Sequence, residues 1–304
     1  MTPTAEAREL TEYLEARRGP VERALGRALA ELTHEVPDDV AAALLYGVTT
    51  GGKRLRPVLC VSAYEACGGP LSDAVYDLAA SLEMIHAYSL MHDDLPCMDD
   101  ADLRRGRPTA HREHGEDATM VAGAALIPSA AMQALRSCEA LGCSPEQGIA
   151  VARALLEASG AGGMVGGQWI DLLGEGQALG AEELDGLHRR KTGALLQASL
   201  VMGGLAAGAD EARVAALAEY GAAIGLAFQI ADDILDATQS AETLGKNPSD
   251  AELDKSTYVA LYGLEEARAK AQEQVDRALA ALRDADVEAP KLAALARYVI
   301  TRNK

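Results

Sequence analysis

The sequence predicts an all-α fold, and three observations predict it. Apolar residues recur at three- and four-residue spacing in nearly every segment, as in Leu78, Leu82 and Ile85 with Ser89, and in Leu217, Tyr220, Ile224 and Phe228. Alternating strand patterns are absent. Aromatic residues are 4% of the 304, with one Phe and one Trp, while Ala, Leu and Gly recur, so the core is expected to be aliphatic and helical.

Turn-forming residues divide the chain in order. Breaks are expected at Gly19-Pro20, Pro37-Asp38, Gly68-Gly69-Pro70, Cys143-Ser144-Pro145, 174–180, 208–210 and 244–254, which leave about a dozen helices of ordinary length. GGKRLRP at 51–57 reads as a Gly-rich turn. Pro96 marks the end or bend of the helix that carries Leu78 to Ser89, because it cannot donate to a helical ladder. Two uncharged runs, 118–135 and 194–209, are expected as buried central helices or interface helices rather than membrane spans. The first contains Pro128 and Gln133, and the second falls short of the roughly 20 apolar residues a bilayer requires. No composition shift, linker or fixed-period repeat divides the chain, so one all-α domain is the economical reading.

Composition excludes several functions. Asp and Glu number 46 against 28 Lys and Arg, a formal charge of -18, which repels polyanions and argues against nucleic-acid binding. A small anionic ligand remains compatible where the site is locally basic or metal-loaded. Five cysteines without a C-x-x-C pair indicate neither a disulfide framework nor a zinc knuckle. Together with a polar N-terminus that has no secretory character, they point to a reducing cytoplasm.

The chemistry concentrates in two acidic clusters. Five aspartates fall within residues 93–102 and Arg104, Arg105 and Arg107 follow at once. The second cluster, FQIADDILD at 228–236, places Asp232 and Asp236 four residues apart, about 40° in azimuth on a helix, with Asp233 beside them and Gln229 one turn earlier. Like charges at that spacing call for a cation. A solvated acidic face is the alternative, but the preceding apolar IGLAFQI segment reads as buried, and buried carboxylates must be paired or metal-bound. In the first cluster the bend at Pro96 can bring Asp99 back towards Asp93 and Asp94. Carboxylates suit Mg²⁺, which takes one or two of them together with substrate phosphates, and the adjoining arginine forks suit phosphate oxygens. Lys53 and Arg56 supply a second basic knot, without the spacing of a nucleotide P-loop. His111 and His114 lack the H-E-x-x-H pattern of a zinc hydrolase, Cys97 reads as filler, and Trp169 reads as packing.

In order along the chain, GGKRLRP, IHAYSLMHDDLPCMDDADLRRGRPTAH, GGMVGGQWIDL, HRRKTGALLQAS, FQIADDILD, LGK, KSTYVALYGLEEAR and ARYVITRNK resemble the motifs of trans-isoprenyl diphosphate synthases, and the chain is similar to bacterial short-chain farnesyl diphosphate synthases from about residue 40 onwards. The resemblance implies one polyprenyl synthase domain over 1–304, an isoprenoid-synthase helical bundle around a central cavity, and a homodimer. It implies Mg²⁺, three ions per site, held by Asp93, Asp94, Asp99, Asp232, Asp233 and Asp236. Arg104, Lys191, Thr192, Gln229 and Lys246 would hold an allylic diphosphate, and Gly52, Lys53, Arg56, His86 and Arg105 would hold isopentenyl diphosphate. Asp93, Asp94, Asp99, Arg104, Lys191, Asp232 and Lys246 would carry catalysis, and Gln168 and Asp171 would wall the site.

Product length in this family depends on bulk beneath the first acidic motif. Tyr88, with Ser89, would form a floor that stops elongation at fifteen carbons, with a twenty-carbon product as the alternative. Tyr88 lies about 7.5 Å down the helix from Asp93 and about 140° around it. Ala101 and Ala124 depart from the usual pattern, as does a short 247–254 segment, while Asp93, Asp94 and Asp99 are intact. A non-catalytic partner subunit would have lost metal ligands, and a class I terpene cyclase would not need the grip of Lys53, Arg56 and Arg105.

Overall fold

The computed structural model describes residues 5–174, 178–238 and 256–302. Helices α1 (Ala5–Leu32), α2 (Asp38–Thr49), α3 (Leu55–Ala66) and α4 (Asp73–Asp93) lead to the first acidic motif. A hairpin of β1 (Leu103–Arg104) and β2 (Arg107–Pro108) follows, then α5 (Ala110–His114), α6 (Glu116–Ala140), α7 (Pro145–Ser159), α8 (Met164–Gly174) and α9 (Ala181–His188). A π-helical turn over Arg189–Gly193 opens into α10 (Ala194–Ala206), and α11 (Glu211–Thr238) carries the second motif. Helices α12 (Tyr258–Tyr262), α13 (Leu264–Asp284) and α14 (Pro290–Thr301) close the described chain.

Helix α4 is buried almost all round, from Val75 to Met91, and lies along α6. Helix α10 is as apolar and packs against α3, α7 and α11, and α13 lies along α11. Glycines set how closely α10 is held. A Cβ on Gly203 would come 2.2 Å from the Cys60 carbonyl oxygen of α3, and one on Gly221 of α11 would come 2.6 Å from Gln197 Cα. One core cluster surrounds α4 and a second surrounds α10, α11 and α14, so both acidic motifs grow from rigid, buried helices.

Several boundaries follow local chemistry. Ser144 caps α7 through a reciprocal pair, with Gln147 N donating to Ser144 Oγ at 3.2 Å and Ser144 N donating to Gln147 Oε1 at 2.8 Å, and Pro145 occupies the first turn. The break expected at Gly19-Pro20 is absent, because α1 runs through Pro20. An interior proline costs about 3 kcal/mol, but Leu10, Val21, Ala24, Leu25 and Leu29 all bury on one stripe and outweigh it. The break at 244–254 lies outside the described residues. A strand-free reading also missed the short hairpin, whose turn residues Arg105 (φ 55) and Gly106 (φ 74) both adopt the left-handed conformation of a type I′ turn.

Helices α6 and α11 are long and apolar enough, by length and composition alone, to cross a membrane. Packing separates them, since 61% of the apolar window of α11 is buried inside the protein but only 39% of that of α6.

Candidate active site

The Gly-rich turn before α3 is fixed by Arg54, which lies in the left-handed region (φ 51) and is 3% exposed. Its guanidinium donates to Glu83 Oε1 at 2.6 Å, Glu22 Oε1 at 2.9 Å and the Val48 carbonyl at 3.0 Å. Held by Arg54, the turn presents its neighbours to a cavity of about 700 Å³. Gly52, Lys53, Arg56, His86 and Arg105 all line that cavity, together with Asp232, Asp236 and Arg302. The hairpin turn returns Arg105 to the loop, where its Nη1 donates to the Gly51 carbonyl.

Burial makes this cavity hungry for an anion. It lowers the Arg56 pKa to about 10, and the Arg56 Nε has no partner. Burial, and then the charge of Arg302, lowers Lys53. His86 is pushed well below the usual imidazole range by burial and by Arg56 and Arg105, so it faces the cavity as a neutral imidazole.

On the other side of the second motif lies a cavity of about 190 Å³, lined by Asp171, His188, Lys191, Thr192, Gln229, Asp232, Asp233 and Asp236. Lys191 donates to Asp171 Oδ2 at 2.5 Å. The π-turn that carries Lys191 and Thr192 is held by two glycines. A Cβ on Gly167 of α8 would sit 2.3 Å from Lys191 N and 2.5 Å from its Cα, and one on Gly225 of α11 would sit 2.8 Å from Gly193 Cα. Burial lowers His188 to about 4, so it is neutral, and its Nδ1 lies 3.4 Å from Gln229 Nε2. Tyr258 N donates to Asp233 Oδ2 at 2.7 Å, which anchors α12 on α11.

Helix α4 ends at Asp93, and the chain folds back so that Asp99 N donates to the Asp93 carbonyl at 2.9 Å and Ala101 N to the Asp94 carbonyl at 3.2 Å. The return towards Asp93 that Pro96 permits is thus made by the backbone. Desolvation raises Asp93 to about 6, opposed by Lys191 and reinforced by Asp99. Asp94 is buried and grips Arg104, whose Nε and Nη2 donate to Asp94 Oδ1 at 2.8 and 2.6 Å. Arg104 and Asp94 line another, small cavity of about 30 Å³ rather than either of those two. Among the described residues, no three carboxylate, imidazole or thiol groups converge closely enough to hold a metal unaided.

Tyr88 is half-buried at the edge of the α4 core, edge-on to His92 with ring centroids 4.8 Å apart, and Ser89 Oγ donates to the His86 carbonyl at 2.9 Å. Burial and then the charge of Asp93 raise the Tyr88 phenol, so its hydroxyl senses the first motif although the helical wheel sets the two residues apart. Lys246 lies outside the described residues. His111 is structural, with Nδ1 3.1 Å from Thr109 Oγ1, and His114 stands edge-on to Tyr46. Trp169 is not packing within the chain, since it is 61% exposed. Gln168 is buried with both amide atoms unpartnered.

Sequence reasoning gave no role to Arg54 or Arg302. Arg54 stands inside GGKRLRP, but Glu22 and Glu83 lie 32 and 29 residues away, so no local pattern marks the contact. Arg302 belongs to the closing motif, and its Nη2 donates to Asp232 Oδ1 at 2.6 Å.

Comparison with known proteins places this geometry. The sequence profile of the family described as Polyprenyl synthetase matches residues 37–296. The chain is 43% identical over 302 residues to a farnesyl diphosphate synthase of Escherichia coli, covering 97% of this chain and 100% of that one. It is 40% identical over 294 residues to a chloroplastic geranylgeranyl pyrophosphate synthase of Catharanthus roseus, covering 96% and 81%. Among solved structures, an FPP/GFPP synthase from Zymomonas mobilis superposes with a TM-score of 0.80 at 36% identity, covering 96% of this chain and 99% of that one. A profile match over most of the chain and full-length relatives well above 30% identity have one meaning: the chain belongs to the polyprenyl synthetase family.

Proposed function

We propose that this protein is a farnesyl diphosphate synthase, a Mg²⁺-dependent prenyltransferase built as one domain. It joins isopentenyl diphosphate head-to-tail to dimethylallyl and then geranyl diphosphate. The carrying observation is that Asp232 and Asp236 line two cavities at once, one walled by Lys53, Arg56 and Arg105 and the other by Lys191 and the second acidic motif. Two diphosphates can therefore lie on either side of one carboxylate pair.

The donor set fits Mg²⁺. Desolvation raises the Asp93 pKa to about 6, a cost to its ionised form that a bound cation would relieve, and Asp99, Asp232 and Asp236 supply further hard oxygens. Among the described residues no three-ligand cluster is preformed, which suits an ion that completes its shell with phosphate oxygens and water. Asp93, Asp94, Asp99, Asp232, Asp233 and Asp236 would share three such ions, with Asp94 and Asp233 also orienting Arg104 and α12. Bound Mg²⁺ supplies charge neutralisation to a leaving diphosphate.

The chain's own residues do the rest. Lys191 and Thr192, which line the smaller of the two cavities, hold the allylic diphosphate with Gln229, and Lys246 and Arg104, the latter oriented by Asp94, would join them. Their cationic donors stabilise the negative charge that grows as the carbon–oxygen bond breaks. Gly52, Lys53, Arg56, His86 and Arg105 hold isopentenyl diphosphate so that its double bond meets the allylic cation. The proton then lost passes to the departing diphosphate. The aliphatic walls of α4 and α10 exclude the water that would quench the cation.

Tyr88, seated against His92 beneath the first motif, is the floor that ends growth at fifteen carbons. Purified protein given isopentenyl and dimethylallyl diphosphates with Mg²⁺ should yield farnesyl diphosphate. A twenty-carbon main product would overturn the floor, and no consumption of isopentenyl diphosphate would overturn the reaction.

The functional unit is a cytoplasmic homodimer. Helix α6 exposes Met120, Val121 and Met132, and α7 exposes Ile149 and Leu156, on faces turned away from the core. A second copy covers them. Sedimentation should report a particle of twice the 31.8 kDa chain mass.

A further inference from the structure

Arg302 stands at the junction of the two sites. Its side chain is 6% exposed, and its Nη2 lies 2.6 Å from Asp232 Oδ1 in the wall of the larger cavity. Three other contacts hold the guanidinium without Asp232. Its centre lies 4.0 Å from the centroid of the Phe228 ring, Nε donates to the Val299 carbonyl at 3.2 Å, and Nη2 donates to the Phe228 carbonyl at 3.4 Å. The cation is therefore fixed in place while its neutralising partner faces both cavities.

We propose that Arg302 is a coupling residue: Asp232 neutralises it until the allylic site is loaded, and loading then frees its charge to strengthen anion binding in the isopentenyl cavity. This rests on the function proposed above and goes beyond it in saying how one site senses the other. When Asp232 turns its charge to a metal–diphosphate cluster, Arg302 loses its counter-ion but not its position. The larger cavity then gains one net positive charge beside Lys53, Arg56 and Arg105. Lys53 already senses both members of the pair, its pKa lowered by burial and then by Arg302, and raised back by Asp232. Coupling of this kind is reciprocal, so isopentenyl diphosphate in its cavity would equally favour metal at Asp232.

The test is a calorimetric double-mutant cycle on isopentenyl diphosphate binding, without metal, in wild type, Asp232→Asn, Arg302→Met and the double variant. Met keeps an apolar stem against Phe228, and urea midpoints check that each variant folds. Freeing Arg302 by Asp232→Asn should tighten binding about fivefold or more, the scale of a typical coupling energy. In the Arg302→Met background the same substitution should change binding less than about twofold. In wild type, Mg²⁺ with an unreactive allylic thiolodiphosphate should reproduce the tightening, and Arg302→Met should abolish it.

Equal effects of Asp232→Asn in both backgrounds would overturn the coupling, as would a Met variant that keeps the full tightening. A Met variant that weakens loaded and unloaded binding alike would also overturn it, by making Arg302 a constant contact. Failure of wild type to bind isopentenyl diphosphate in any state would overturn the functional reading itself, and this proposal with it.

Discussion

Replacing Asp93 by Asn should stabilise the ligand-free protein while abolishing its activity. Burial raises the Asp93 carboxyl from 3.8 to about 6, even with Lys191 and Arg104 nearby. At about 1.4 kcal/mol per pH unit, that interval corresponds to about 3 kcal/mol of destabilisation by the ionised form. Discounted for the part of the group that reaches solvent, about 1–2 kcal/mol remains. The sign follows from a folded-state pKa above the unfolded one. The favourable term is fully present below about pH 4 and is lost as pH rises through about 6, so above that the ionised carboxylate is a net liability. Asp93→Asn should therefore be the more stable form at pH 7.5 in metal-free urea titrations, and its advantage should shrink towards zero as pH falls from about 6 to about 4. Mg²⁺ with inorganic pyrophosphate should stabilise wild type and leave the variant almost unchanged. A variant that is less stable than wild type at pH 7.5, or that shows no pH-dependent difference, would refute burial as the cause of the Asp93 shift.

Three further outcomes are expected. Arg54→Ala leaves Glu83 buried without its partner and should cost about 3–5 kcal/mol in urea midpoint analysis; a loss below about 1 kcal/mol would show that the turn does not depend on it. Gly167→Ala pushes a methyl group into the Lys191 backbone, so it should displace the π-turn, cost at least about 2 kcal/mol and lower kcat more than tenfold; unchanged kcat and stability would contradict the close approach. Tyr88→Ala should lengthen the main product beyond fifteen carbons by chromatography, and an unchanged product would remove Tyr88 as the floor.

How much of this was legible in the sequence depended on distance along the chain. The two acidic motifs could be placed because Asp232 and Asp236 lie on one helical turn and because Pro96 forces the chain off α4 within a few residues of Asp93. The break before α7 was readable for the same reason, since Ser144 and Pro145 are neighbours. Pro20 misled, because the stripe of Leu10, Val21 and Leu25 that keeps α1 intact is satisfied only by tertiary packing. Trp169 misled in the opposite sense, as helical spacing cannot tell a face covered by the chain from one left exposed. Arg54 and Arg302 were unreadable, because each takes its meaning from carboxylates on other helices, and a basic residue among other basic residues carries no mark of its partner. The hairpin turn was hidden as well, since Arg105 in a left-handed conformation has no signature beyond the glycine after it.

Metal-dependent uptake of diphosphate tests most directly whether the two acidic motifs and the cations between them form one prenyl-transfer site. Calorimetric titration with an unreactive allylic thiolodiphosphate should show binding that requires Mg²⁺ and is lost in both Asp93→Asn and Asp232→Asn. Binding of equal strength without Mg²⁺, or undiminished in both variants, would contradict it.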